Sequence, residues 1–167
     1  MTPRRPKIGG VAGGVGSSVV AALIGGEDVG VVSAGDAVDV LVCRSVSSQV
    51  ALATRLAAAA PVAPVVVINA DCGNRPPHQV RERARMLEPN VPALLRLPWI
   101  EQARSMGDPP TGLRAAAIAD TPDPWTRDLR QFRSQLITEV TALVLASPPP
   151  ESSSPPDEEE PPLRRTS

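Results

Sequence analysis

The fold is decided by Lys7-Ile8-Gly9-Gly10-Val11-Ala12-Gly13-Gly14-Val15-Gly16-Ser17-Ser18-Val19-Val20-Ala21-Ala22-Leu23-Ile24-Gly25-Gly26. An apolar run at 7–12 enters a glycine-rich turn. Residues 18–24 then predict a short helix that Gly25-Gly26 stop. Strand, glycine turn and helix make the first half of a βαβ unit. Glycines in such a turn let the backbone curl until its N–H groups face one point. The helix N-terminus adds about half a positive charge there, so the turn suits a phosphate or another anion. The residues concerned are Gly13, Gly14, Val15, Gly16, Ser17 and Ser18.

The same stretch has a superficial likeness to an export signal, because Arg4, Arg5 and Lys7 precede an uncharged run from Ile8 to Gly26. Seven of those 19 residues are glycine, and only 19–24 are continuously apolar. That is too short for the apolar region of a signal peptide. No other stretch approaches the roughly 18 apolar residues of a membrane span. The expectation is a cytoplasmic protein with reduced thiols.

Outward from the glycine turn, the body alternates strand and helix. Apolar β-branched runs at 29–33 and 38–43 are separated by Gly35-Asp36. Ser47 is placed to cap a helix running to about residue 60, with Val50, Leu52, Ala53 and Leu56 as its apolar side. Val65-Val66-Val67-Ile68 is a continuous apolar run, as in a strand buried on both faces. Pro76-Pro77 pre-organise a second such helix, striped by Val80, Ala84 and Leu87. Residues 91–97 predict a further strand. Asp123-Pro124 predict the start of a last helix, on which Trp125, Leu129, Phe132, Leu136, Val140 and Leu143 share one face. Strands separated by helices imply an α/β fold with a doubly wound, mainly parallel sheet flanked by helices. Its ligand crevice is expected beyond the C-terminal ends of the strands.

The expected organisation is an α/β domain over 1–146 and a disordered tail over 147–167. The tail holds seven of the 20 prolines, and Leu163 is its only large apolar side chain. Such a segment cannot bury enough surface to offset its ordering entropy. Two of the 17 basic and five of the 18 acidic residues fall in it, so the body carries net +2 and the tail −3.

Composition excludes several functions. The two cysteines, Cys43 and Cys72, form no CxxC pair, which argues against a disulfide scaffold or a cysteine zinc site. A single histidine, His78, leaves no HExxH motif and makes a Ser-His-Asp triad improbable. The chain has no tyrosine and one phenylalanine, too little for a platform that stacks single-stranded bases. It has one lysine, Lys7, among its 17 basic residues, and that bias fits a GC-rich genome.

Val11-Ala12-Gly13-Gly14-Val15-Gly16-Ser17-Ser18 resembles the deviant Walker A loop, KGGxGK[ST], of the ParA/MinD family of P-loop ATPases. Gly13, Gly14 and Gly16 fall on its three glycines, and Ser18 on the Mg²⁺-ligating Ser/Thr. Ala12 and Ser17 stand where the family has its two lysines. Val38-Asp39-Val40-Leu41-Val42, Val65-Val66-Val67-Ile68-Asn69 and Leu94-Leu95-Arg96-Leu97-Pro98 resemble later strands of the family, in the same order. The resemblance implies a truncated P-loop NTPase-like fold, ATP or another nucleotide with Mg²⁺ as cofactor, and Asn69 as a contact to the base. Arg44, at the end of a predicted strand, is the candidate to replace a lysine. The family's switch segments have no counterpart between Gly26 and Asp39. Phosphoryl transfer depends on lysine and metal charge around the γ-phosphate, so no residue is assigned a catalytic role. Arg75-Pro76-Pro77-His78-Gln79-Val80-Arg81-Glu82-Arg83-Ala84-Arg85-Met86-Leu87-Glu88 is also similar to a stretch in uncharacterised actinobacterial proteins found near conjugative or integrative elements.

Three functions remain open on these residues. The first is a ParA/MinD-like regulatory or scaffold protein that binds nucleotide weakly or not at all and acts through a protein partner or as a homodimer, for a plasmid or conjugative element. The second is an unusual ATPase with a lysine-free loop. The third is a DNA-binding accessory using the basic face over 75–104, which lacks interleaved aromatics. The simplest alternative for the loop is a tight turn that binds nothing. For the arginines it is a solvated helix face, with Arg81, Glu82 and Arg85 paired along it.

Overall fold

The computed structural model describes residues 4–71 and 73–147. The expected disordered tail, beyond Ser147, and Cys72 lie outside the described residues. Five strands, β1 (Lys7–Gly10), β2 (Glu27–Val31), β3 (Val40–Arg44), β4 (Val65–Asn69) and β5 (Leu94–Leu97), form one sheet in the order β2-β1-β3-β4-β5. Every pairing is parallel. The helices are α1 (Ser17–Ile24), α2 (Ser47–Ala59), α3 (His78–Leu87), α4 (Pro109–Ile118) and α5 (Arg127–Ala146). α1 packs on α4 and α5, and α2 packs on α3. The α/β expectation holds: a parallel sheet flanked by helices. In this strand order the connections reverse direction between β1 and β3, which puts the crevice at the C-terminal ends of those two strands.

The core follows from the strand sequences. Val40, Leu41, Val42 and Cys43 of β3 and Val65, Val66, Val67 and Ile68 of β4 are all buried, as expected for central strands covered on both faces. The export-like stretch is core material, with Ile8, Val11, Val15, Val20 and Leu23 all buried. Gly25 takes the left-handed conformation (φ +69°) and ends α1 as expected. No helix among the described residues is long and apolar enough to cross a membrane.

Several local expectations are corrected. β2 is two residues earlier than its apolar run suggests. Pairing to β1 sets its register, with Lys7 opposite Glu27 and an irregularity at Ile8/Gly9. An edge strand tolerates the charges this brings in, and all five residues of β2 are exposed. Ser47 begins α2 without capping it: the cap position is Val46, and no side chain bonds there. Asp123 accepts the Thr126 N–H through its carbonyl and not its carboxylate, so a 3₁₀ turn (Pro124–Thr126) precedes α5. The expected pairing of Glu82 with Arg81 and Arg85 does not form; Glu82 sits 3.6 Å from His78 Nε2. Helix α4 has no counterpart in the sequence reading. Its start carries the cue, Asp108 followed by Pro109-Pro110, with Asp108 Oδ2 accepting the Thr111 hydroxyl at 2.7 Å.

Candidate functional site

The glycine loop leaves β1 at Gly10 and reaches α1 at Ser17. Its first residue is still tied to the sheet, because the Val11 N–H donates to Val42 O at 2.9 Å. The turn needs glycine at two places: Gly14 has φ +69° and Gly16 has φ +98°, both in the left-handed region that disfavours a side chain.

Two side chains from the neighbouring strand ends hold the loop. Arg44, the last residue of β3, donates from Nε (3.2 Å) and Nη2 (2.9 Å) to Gly14 O. Asn69, the last residue of β4, donates from Nδ2 to Val15 O at 2.9 Å. Topology brings these residues together, since Arg44 and Asn69 are 30 and 54 residues from the carbonyls they bind. Arg44 is itself held. Its N–H donates to Gln49 Oε1 at 2.8 Å, and Asp71 lies 3.7 Å from its guanidinium. The Ser45 N–H donates to Asn69 O at 2.9 Å, which joins the two clamp-bearing strand ends.

The clamps fix the amides as well as the carbonyls. A trans peptide is planar, with its N–H opposite its C=O. With the carbonyls of Gly14 and Val15 drawn onto Arg44 and Asn69, the N–H groups of Val15 and Gly16 are turned to the other side, that of Val15 toward Ala12 O within the turn. Among the described residues, the N–H groups of residues 13, 14 and 16–19 meet no backbone or side-chain acceptor, whereas the turn over Gly13-Gly14 directs the Val15 N–H back toward Ala12 O. Three of these, on Ser17, Ser18 and Val19, are the free donors of the first turn of α1. A Cβ on Gly13 would meet nothing within 4 Å, so that part of the loop is open. This arrangement fits an anion held by backbone N–H groups.

The side chains fit less of the expected cofactor. Ser18 is exposed, and its hydroxyl makes no hydrogen bond among the described residues. The serine that meets a carboxylate is Ser17, whose hydroxyl donates to Asp28 Oδ2 at 3.3 Å. Asp28 also accepts the Gly30 N–H at 3.0 Å. No group of three or more metal-ligating side chains occurs among the described residues. Ser18 with no carboxylate beside it does not make a Mg²⁺ site. Asn69 is engaged with the loop instead of facing a base. Arg44 supplies one positive charge against the carboxylates of Asp28 and Asp71, and no lysine stands in the loop.

Sequence reading identified the loop, Arg44 and Asn69, and the structure brings them into one cluster. It missed Asp28 as a neighbour of Ser17, because the apolar pattern placed β2 to start after it. Cys43 is buried at the end of β3 with its thiol pushed up to about 12 by burial, which leaves no nucleophile there near neutral pH. A surface pocket of about 750 Å³ around Pro122–Arg130 shares no residue with the loop.

The chain matches no protein-family model, no curated protein and no solved structure.

Proposed function

We propose that this chain is a ParA/MinD-like regulatory module that holds the phosphates of a nucleotide weakly and does not hydrolyse it, acting through a protein partner. The observation that carries this reading is the clamped loop. Arg44 and Asn69 hold its two central carbonyls at the C-terminal end of the sheet, while the amides of residues 16–19 meet no acceptor. A preorganised row of N–H groups favours an anion without side-chain charge.

The absence of hydrolysis follows from the same side chains. No lysine reaches the loop, Arg44 is committed to Gly14 O, and no metal site forms on Ser18. Little then stabilises charge developing on a transferring phosphoryl group. The lysine-free ATPase is the weaker reading for that reason.

The test is amide-resolved NMR of the full chain titrated with ADP and with ATP. Saturable shifts confined to residues 13–19, with phosphate release at background, are the expected result. Shifts scattered over the surface, or none, would remove the nucleotide from the proposal. Turnover that requires Mg²⁺ and is lost on Ser18→Ala would make the chain an enzyme instead.

A further inference from the structure

Away from the glycine loop, α3 and the edge strand β5 enclose a second feature. Arg81 and Arg85 are four residues apart and so share one face of α3. Leu94 and Arg96 alternate with Leu95 on β5 and so share one face of that strand. Arg81, Ala84, Arg85, Glu88, Leu94 and Arg96 line a cavity of about 150 Å³. That is the liquid volume of roughly five waters, enough for one tetrahedral oxyanion.

Three arginines and one glutamate, Glu88, contribute to this lining, and none of the arginines is ion-paired. No ion pair within 4.0 Å joins Arg81, Arg85 or Arg96 to any carboxylate among the described residues. Glu88 lines the cavity but pairs with none of them. The neighbouring acids bind elsewhere, Glu82 against His78 and Glu101 against Arg104. Arg81 adds an independent sign of a missing partner. Its Nε is the one buried side-chain nitrogen or oxygen among the described residues that lacks a hydrogen bond. A buried donor normally has an acceptor. Like charges crowded around a cavity with one unpaired donor describe a site for a multivalent anion, since arginine forks match phosphate and carboxylate oxygens.

We infer that Arg81, Arg85 and Arg96 form an oxyanion-binding pocket, distinct from the glycine loop, whose arginines donate to phosphate or carboxylate oxygens. The same chemistry has two sources. One is a free phosphate or phosphomonoester. The other is this chain's own acidic run, Asp157-Glu158-Glu159-Glu160. Nine residues separate that run from Ser147.

The test uses the full chain with ¹⁵N-labelled arginine, titrated with inorganic phosphate while chloride holds ionic strength constant. The Arg81 Nε–H resonance should move saturably. Arg96→Gln and Arg85→Gln, both at exposed positions, should each weaken the apparent affinity about tenfold with an unchanged thermal melt. A tail variant carrying Asp157→Asn, Glu158→Gln, Glu159→Gln and Glu160→Gln separates the sources. If the tail fills the pocket, this variant shifts the Arg81 resonance before phosphate is added and then binds phosphate more tightly. If the source is free phosphate, the variant behaves as the parent chain does; both results uphold the pocket. An Arg81 resonance that phosphate moves in neither chain, or that moves equally in Arg85→Gln and Arg96→Gln, overturns it.

Discussion

At Gly16 a methyl group would lie 2.5 Å from Asn69 Nδ2, on a backbone already at φ +98°. Gly16→Ala therefore does two things at once. It strains the turn by about 1–3 kcal/mol, and it pushes Asn69 off Val15 O. Thermal unfolding should show the loss of stability, and the amides of Val15 and Gly16 should shift in NMR spectra. An unchanged melting temperature would mean that the loop is not held as described. Cys43 gives a residue-scale prediction of another kind. Its thiol titrates near the ordinary value of 9.0 in the unfolded chain and near 12 when folded. Burial thus favours the folded state fully below pH 9 and loses that contribution as pH rises from 9 toward 12. Cys43→Ala should flatten the alkaline limb of the stability profile in this window, and Cys43 should resist alkylation at pH 8 until the chain unfolds. Rapid native-state alkylation at Cys43 would contradict its burial.

Elements were legible in the sequence where local pattern and tertiary demand agree. The run Val65-Val66-Val67-Ile68 could only be a central strand, and the stripe Val80, Ala84, Leu87 of α3 is buried as its spacing requires. The glycine turn was legible because left-handed backbone needs glycine at Gly14 and Gly16. β2 was misplaced because an edge strand takes its register from its neighbour and not from its own apolar residues; Val31 remains 60% exposed. Helix α4 was missed because it buries only Leu113 and Ala117, too thin a stripe to read. Its start was nevertheless marked by Asp108-Pro109-Pro110, the same cue that overstated the role of Asp123. The difference is a side-chain bond: Asp108 caps Thr111, whereas Asp123 offers only its carbonyl. Asp108→Ala should therefore cost about 1 kcal/mol, and Asp123→Ala close to nothing, in parallel chemical denaturation of the two variants. Equal losses would show that the caps are not distinguished in this way.

For the molecule as a whole, the two ends of the sheet are built differently. At the end where the strands begin, Asp39 gathers the chain. Its carboxylate takes two bonds of 2.7 Å from the Arg4 guanidinium and one from the Lys7 N–H, and it is only 5% exposed. Its backbone binds Lys7 O and the Val65 N–H, which ties β1, β3 and β4 together. The Arg4 side chain is 40% exposed, so solvent weakens the charge component of the pair. Asp39→Ala should lower stability by about 2 kcal/mol in urea unfolding without altering the glycine loop's response to nucleotide. A loop response lost together with Asp39 would show that the two ends are not independent.

At the opposite end, Arg44, Asn69 and the loop come from three separate stretches of chain. Sequence identified each of them as lying at a strand's C-terminal edge. It could not reveal that the two side chains point at loop carbonyls, because that contact exists only once β1, β3 and β4 are adjacent. The proposed nucleotide binding requires this clamped loop to receive phosphate without a lysine. The most direct measurement is calorimetric titration of the full chain with ATP and ADP, each with and without Mg²⁺, repeated on Gly16→Val. Dissociation constants on the order of 0.1–1 mM are expected, equivalent to about −5.5 to −4 kcal/mol, little changed by Mg²⁺ and weakened in the variant. No heat of binding at millimolar nucleotide, or equal binding by Gly16→Val, would contradict it and leave the loop as a turn between β1 and α1.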